Sequence, residues 1–281
     1  MYEEPYRWIE AVGNRRQYLD EQFRQGSPVV ALSYADGILL LTVSRGTPKL
    51  YEIYDRIGLA GMGHPADLEK LRFSLLEMAH VEGFNRSPSD VTAARLMKYA
   101  LAPAIKQAFE EIYKAPYIVK VLLADLSLRT RREAQPTDAF LTIDYDGSFE
   151  ETNDCAVLAA TPAVRAEMAQ YLKQAPAFTS APLAEAFEIA LRAWALGSLA
   201  QASESPDSEQ GDQDRKSKAE APSAPKQEAK LVAHLREALS DKTIECALLE
   251  RHAPGSSKYR PLKKEEIERL THAQSNLRPR D

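Results

Sequence analysis

The apolar residues of this chain fall into short dense runs and longer spaced ones, and the alternation of the two textures predicts the architecture. Residues 6–25 carry Trp8, Val12, Leu19 and Phe23 among many charges, the spacing of a helix with one narrow apolar face. Gly26 ends it and Pro28 forbids its continuation. From Val29 the chain reads Val-Val-Ala-Leu-Ser-Tyr, then Asp36-Gly37, then Ile-Leu-Leu-Leu-Thr-Val, which predicts two strands joined by a tight turn. Residues 49–54 alternate in the strand manner, Asp55-Arg56 turns, and 57–62 are small and apolar. Four short strands thus precede any core helix.

After His64-Pro65 the spacing becomes helical through Leu68, Leu71 and Leu75 up to Gly83. Ser89-Asp90 can cap a second helix reaching about Tyr113, with Pro103 inside it as a kink or a break. Strand texture returns at 117–128 and 139–145, followed by an Asp146-Gly147 turn, Phe149, and 156–160. Helices over 162–173 and 182–199 each open on a proline, which suits a first helical turn. Residues 200–228 hold Ser, Glu, Asp, Gln, Lys and Pro without one large apolar side chain. Such a segment cannot bury enough surface to offset its ordering entropy and is expected to be a disordered insert. A helix over 230–239, strands over 243–251 and 257–260, and a terminal helix over 262–272 complete the order. Blocks of strands alternating with pairs of helices predict an α+β fold: a four-layer αββα sandwich of two antiparallel sheets flanked by helix pairs, with an extra N-terminal helix. The expected divisions are 1–25, a domain formed by 26–199 and 229–272, the insert at 200–228, and a flexible tail at 273–281.

Composition narrows the function classes. With 281 residues, 44% hydrophobic and 27% charged, the chain can build an ordinary globular core, and its net charge of −5 supplies no basic field for nucleic acid. The most apolar long stretch, 184–200, is interrupted by Glu185, Glu188 and Arg192, so no membrane span is expected. The first residues lack the apolar centre of a secretory signal, and a cytoplasmic protein is expected. Cys155 and Cys246 lie in apolar strands and read as buried thiols, with a disulfide between them as the other arrangement. The five histidines have no metal-ligand spacing, and no metal or cofactor is expected. Gly58-Leu-Ala-Gly-Met-Gly63 lacks the lysine and serine of a phosphate loop and reads as small residues for close packing; Arg129-Thr-Arg-Arg132 reads as a solvated loop.

Several blocks, in order and spacing, resemble the proteasome family and its actinobacterial α subunits: SPVVALSYADGILL at 27–40, KLYEIYDRIGLAG at 49–61, DVT at 90–92, IDYDGS at 143–148 and TIECALLE at 243–250. The resemblance covers roughly 1–200 and 240–270 and belongs to the N-terminal nucleophile hydrolase superfamily. It implies the αββα sandwich that the element order predicts. It also implies α rings of seven copies capping β rings, a docked AAA+ ATPase ring, and unfolded or tagged protein substrates. On this resemblance Met1, Tyr2, Glu3, Glu4, Pro5 and Tyr6 form a gate at the axial pore. The helix behind them has too few apolar residues for a central core helix and too many for a free tail, so it is expected at a subunit interface or on the axial face. Lys49 lines a pocket between neighbouring subunits that receives the C-terminal carboxylate of an ATPase tail.

The resemblance also bears on catalysis. Active subunits of the family expose an N-terminal threonine whose amine, with a lysine and an aspartate, activates its hydroxyl. Here Ser27, followed by Pro28, stands at the matching strand start, and Val43 stands where the aspartate is needed. Lys49 aligns with the active lysine and equally with the pocket lysine of α subunits. No catalytic residue is therefore expected; a single-type self-compartmentalised protease using Ser27 is the other reading.

Overall fold

The computed structural model describes residues 4–111, 113–128, 137–204 and 224–273. The first sheet contains β1 (Val29–Tyr34), β2 (Gly37–Ser44), β8 (Cys155–Leu158), β9 (Thr243–Glu250) and β10 (Tyr259–Pro261), in the order β10-β9-β2-β1-β8. The second contains β3 (Leu50–Tyr54), β4 (Ile57–Gly63), β5 (Val119–Asp125), β6 (Ala139–Ile143) and β7 (Phe149–Asn153), in sequence order. Every pairing is antiparallel.

The dense apolar runs now have a cause. Every residue of β1 and β2 is buried, because one face of their sheet meets helices and the other meets the second sheet. Val30, Leu32, Leu39 and Leu41 pack beneath the helices α5 (Pro162–Gln174) and α6 (Leu183–Ser203). Val29, Ala31, Ile38 and Leu40 face Ala60, Leu122, Ala124 and Phe140 of the other sheet. The outer face of that second sheet, with Leu59, Val121, Leu123 and Leu141, is covered by α2 (Pro65–Asn85) and the helical segment after it. The glycine-rich stretch is used for close approach: a side chain on Gly61 would collide with Leu68 of α2.

The segment after α2 differs from a single capped helix. A 3₁₀ turn occupies Pro88–Asp90, and Thr92, whose hydroxyl accepts from the Arg95 N–H at 3.3 Å, caps α3 (Ala93–Leu96). A π turn over Met97–Leu101 then leads into α4 (Ala102–Glu110). Pro103 falls in the first turn of α4, directly after the π turn, where the Ala102 N–H bonds to the Met97 carbonyl five residues back. The break at the proline is thus a change of helical register.

Helix α6 continues through Ser203, and α7 starts at Ala224 and ends at Asp241. The expected insert therefore yields helix at both of its edges, and its interior, 205–223, lies outside the described residues, as do the basic run at 129–132 and the tail from 274 onward. Helix α8 (Lys264–Ala273) closes the layer over the first sheet, with Ile267 and Leu270 against the core.

Helix α1 (Glu4–Phe23) is divided in its environment. Its last turn enters the core between the sheets: Leu19 and Phe23 are fully buried, and Phe23 stacks on Tyr145 at 5.8 Å. The helix thus does reach the core at this end, where Leu19 and Phe23 suffice because they pack between the two sheets. Polar contacts pin this half of the helix. Arg15 donates to the carbonyls of Ala108 (2.8 Å), Phe109 (2.9 Å) and Lys114 (2.7 Å) at the end of α4. The Tyr145 hydroxyl donates to Asp20 at 2.7 Å. Toward the N-terminus Trp8 and Ile9 are exposed.

Phe23→Ala should lower stability by about 3–5 kcal/mol, the range for emptying a buried aromatic site. Denaturant unfolding measures the loss, and limited proteolysis should cut within α1 sooner than in the parent chain.

Candidate functional site

Two places could carry function: the start of β1, where an N-terminal nucleophile would stand, and the crevice around Lys49. The first is occupied by structure. The Ser27 hydroxyl accepts a hydrogen bond from the indole N–H of Trp194 at 3.0 Å, and Trp194 is buried in α6. Gln201 donates its side-chain amide to the carbonyls of Arg24 and Gly26, the latter at 2.8 Å. The Thr42 hydroxyl donates to the Pro28 carbonyl at 2.8 Å. These contacts tie the approach to β1 to α6 and β2. Val43 is fully buried among apolar side chains and offers no carboxylate. Cleavage before Ser27 would also withdraw Leu19 and Phe23 from the core.

The charged group Lys120, near this end of the sandwich, is structural as well. Lys120 is buried, pairs with Asp144 at 3.2 Å, donates to the Ala160 carbonyl at 3.1 Å, and lies over the rings of Phe23 (5.0 Å) and Tyr145 (5.6 Å). A small cavity of about 90 Å³ separates it from Arg165.

The second place lies where the chain crosses from β2 in one sheet to β3 in the other. Glu245 of β9 reaches over to this crossing. Its carboxylate accepts from the Lys49 N–H at 2.9 and 3.1 Å and from the Leu50 N–H at 2.9 Å. The Tyr51 hydroxyl donates to the Pro48 carbonyl at 2.8 Å, and the Arg72 guanidinium covers the Tyr51 ring at 4.7 Å. A groove of about 800 Å³ opens alongside, lined by residues that include Pro48, Leu50, Glu245, Tyr259, Leu262 and Ile267. Burial holds the Lys49 ammonium below the ordinary lysine range; Glu245 opposes that shift and Lys242 adds to it. Burial likewise raises the Glu245 carboxyl, against the Lys49 and Leu50 N–H groups and the Lys49 charge.

Of the residues singled out by sequence, Lys49 stands beside this groove, between Pro48 and Leu50 of its lining; Val43 is buried in the core, and Ser27 is half-buried at the head of β1. Met1, Tyr2 and Glu3 lie outside the described residues, and Glu4, Pro5 and Tyr6 belong to the first turns of α1. Sequence reasoning missed Glu245; the available signal was one acid inside the apolar run Ile-Glu-Cys-Ala-Leu-Leu. Both cysteines are free thiols. His64 caps α2, accepting from the Ala66 N–H at 3.2 Å, and the ring of His234 meets the Ser198 hydroxyl at 2.9 Å. Among the described residues no group of His, Cys, Asp or Glu could hold a metal ion, and no helix is long and apolar enough to cross a membrane.

Two antiparallel sheets clad in helices make this an αββα sandwich. No protein-family model matches the chain. The proteasome subunit alpha of Streptosporangium roseum is 32% identical over 181 residues, 63% of this chain and 65% of that protein. That of Actinosynnema mirum is 30% identical over 187 residues, 66% of this chain and 67% of the relative. A third, from Streptomyces scabiei, is 28% identical over 186 residues. The chain spans about two thirds of the length of the first two relatives, 65% and 67%. It belongs to the family of proteasome α subunits.

Ser27→Ala should destabilise the chain by about 1–3 kcal/mol, because the buried Trp194 N–H loses its acceptor, while Ser27→Thr retains most of the stability. Thermal unfolding of the two variants side by side checks the structural role of the hydroxyl.

Proposed function

We propose that the chain is the non-catalytic α subunit of a bacterial proteasome core particle. Seven copies form the outer ring, which caps a ring of β subunits, gates substrate entry in the cytoplasm, and docks an AAA+ ATPase ring that feeds unfolded or tagged proteins. The observation that carries this reading is the start of β1. Ser27 is internal and bonded to Trp194, Phe23 fills the space behind it, and Val43 stands where a carboxylate is needed. A fold of this class without a nucleophile has assembly and access left as its work. Exposed Trp8 and Ile9 on α1 and Phe73 and Phe84 on α2 are the apolar surface that contacts with other copies and β subunits would bury.

In this reading Met1 to Tyr6 obstruct the pore, and Lys49 receives the C-terminal carboxylate of an ATPase tail. A lysine suits that role, since its ammonium is a compact charge with three donors. Partial burial strengthens the pair: a hydrogen bond to a charged group contributes about 1.5–3 kcal/mol when shielded.

The test is co-expression with a β-type subunit. The chain alone should show no peptidase activity, and a four-ring particle visible by electron microscopy should show it. Lys49→Ala should weaken ATPase-stimulated proteolysis at least about tenfold in apparent affinity without reducing assembly or basal peptide cleavage, with Lys49→Arg recovering only part. Deleting residues 1–8 should speed degradation of a casein-like substrate and leave small-peptide hydrolysis unchanged. Hydrolysis by the rigorously purified chain, abolished in Ser27→Ala, would overturn the assignment.

A further inference from the structure

The Lys49 crevice contains a carboxylate that does not close on the ammonium beside it. Glu245 spends its oxygens on the backbone N–H groups of Lys49 and Leu50, at 2.9–3.1 Å, and on the Ser44 hydroxyl. Its attraction to the Lys49 ammonium acts through space. A carboxylate in direct contact would compete with any incoming anion, whereas one tethered to the backbone supplies counter-charge and leaves the ammonium's donors open. We propose that Glu245 is a positioning residue for Lys49, which fixes the start of β3 through its backbone and keeps the lysine charged and uncapped for an anionic ligand. The inference rests on the reading of Lys49 as an anion site.

The surroundings make this carboxylate matter. Lys242 at the head of β9 repels the Lys49 charge, and burial opposes it further. Tyr51 and Glu52 of β3, Tyr259 of β10, and Lys264 and Glu268 of α8 line the neighbouring groove. Arg45 and Asp241 neutralise one another at 3.0 Å. Glu69 and Arg72 of α2 do the same at 2.7 Å. Glu245 is the group that both touches the Lys49 backbone and favours its charged form.

The sign follows. Without the Glu245 charge the protonated form of Lys49 loses its support, so the lysine gives up its proton at a lower pH. The full chain carrying ¹³Cε-labelled lysine, with the Lys49 resonance assigned by its loss in Lys49→Arg, reports this without any ligand. In Glu245→Gln the titration midpoint of Lys49 should fall by about one pH unit or more, with the amide spectrum otherwise preserved. An unmoved midpoint in a folded Gln variant would defeat the proposal. Should the Gln variant fail to fold, Glu245→Asp carries the test. Its shorter carboxylate keeps the charge and withdraws from the backbone, so exchange of the Lys49 and Leu50 amides should rise at least about tenfold, and unchanged protection would defeat the proposal.

A second arm separates this from the anion-site reading. Assembled rings are titrated with a fluorescein-labelled peptide ending in a free carboxylate, and with its amidated twin. Carboxylate-dependent binding should weaken at a lower pH in Glu245→Gln than in the parent, and Glu245→Gln with Lys49→Arg should lose that pH dependence. Binding that survives Lys49→Ala removes the anion site and with it the purpose of Glu245. Binding that needs Lys49 but keeps its pH profile in Glu245→Gln removes Glu245 alone.

Discussion

The closure of one end of the sandwich around the Lys120 ammonium is the constraint on which the rest of the molecule depends. A buried cation needs compensation from every side, and here it comes from Asp144, from the Ala160 carbonyl and from the faces of Phe23 and Tyr145. One of those faces is supplied by α1, so the helix is bound to the core by the same cluster that satisfies the charge. With α1 seated, the chain must pass through Gly26 and Ser27 into β1 as a continuous backbone. The head of β1 thereby becomes an interior segment, held by Trp194, Gln201 and Thr42.

The opposite end of the sandwich is also tied by a buried carboxylate. Asp138 accepts from the Ser33 hydroxyl and the Ser127 N–H, each at 2.9 Å, and pairs with Arg251 at 2.9 Å. The contact joins β1 and the end of β9 in one sheet to the loops around β6 in the other. Glu245 makes a third crossing, from β9 to the start of β3. Apolar packing between the sheets supplies most of the attraction but has little directional preference. These polar crossings, each needing its hydrogen bonds complete, set how the two sheets are placed on one another.

Much of this was legible before any coordinates. The unbroken apolar runs of β1 and β2, the wider helical spacing of α2 and α6, and the prolines opening α5 and α6 each follow from local geometry, and together they imply two sheets between helices. The edges of the expected insert were not legible: Ala200 to Ser203 continue α6 because its apolar face still meets α7. The π turn before Pro103 was not legible, since a proline within a helical pattern is compatible with a kink, a break or a register change.

What the sequence by itself determined is which side chains are buried and in what periodic order, and hence the layered fold, together with the absence of a carboxylate at Val43. What only the tertiary structure decided is which polar groups meet. Glu245 and Lys49 are 196 positions apart, and Arg15 lies 93 positions from Ala108, whose carbonyl it binds. Periodicity reports the environment of one residue at a time through its immediate neighbours. The pairing of a carboxylate with a distant backbone N–H depends instead on how two sheets settle face to face, and no local pattern records that.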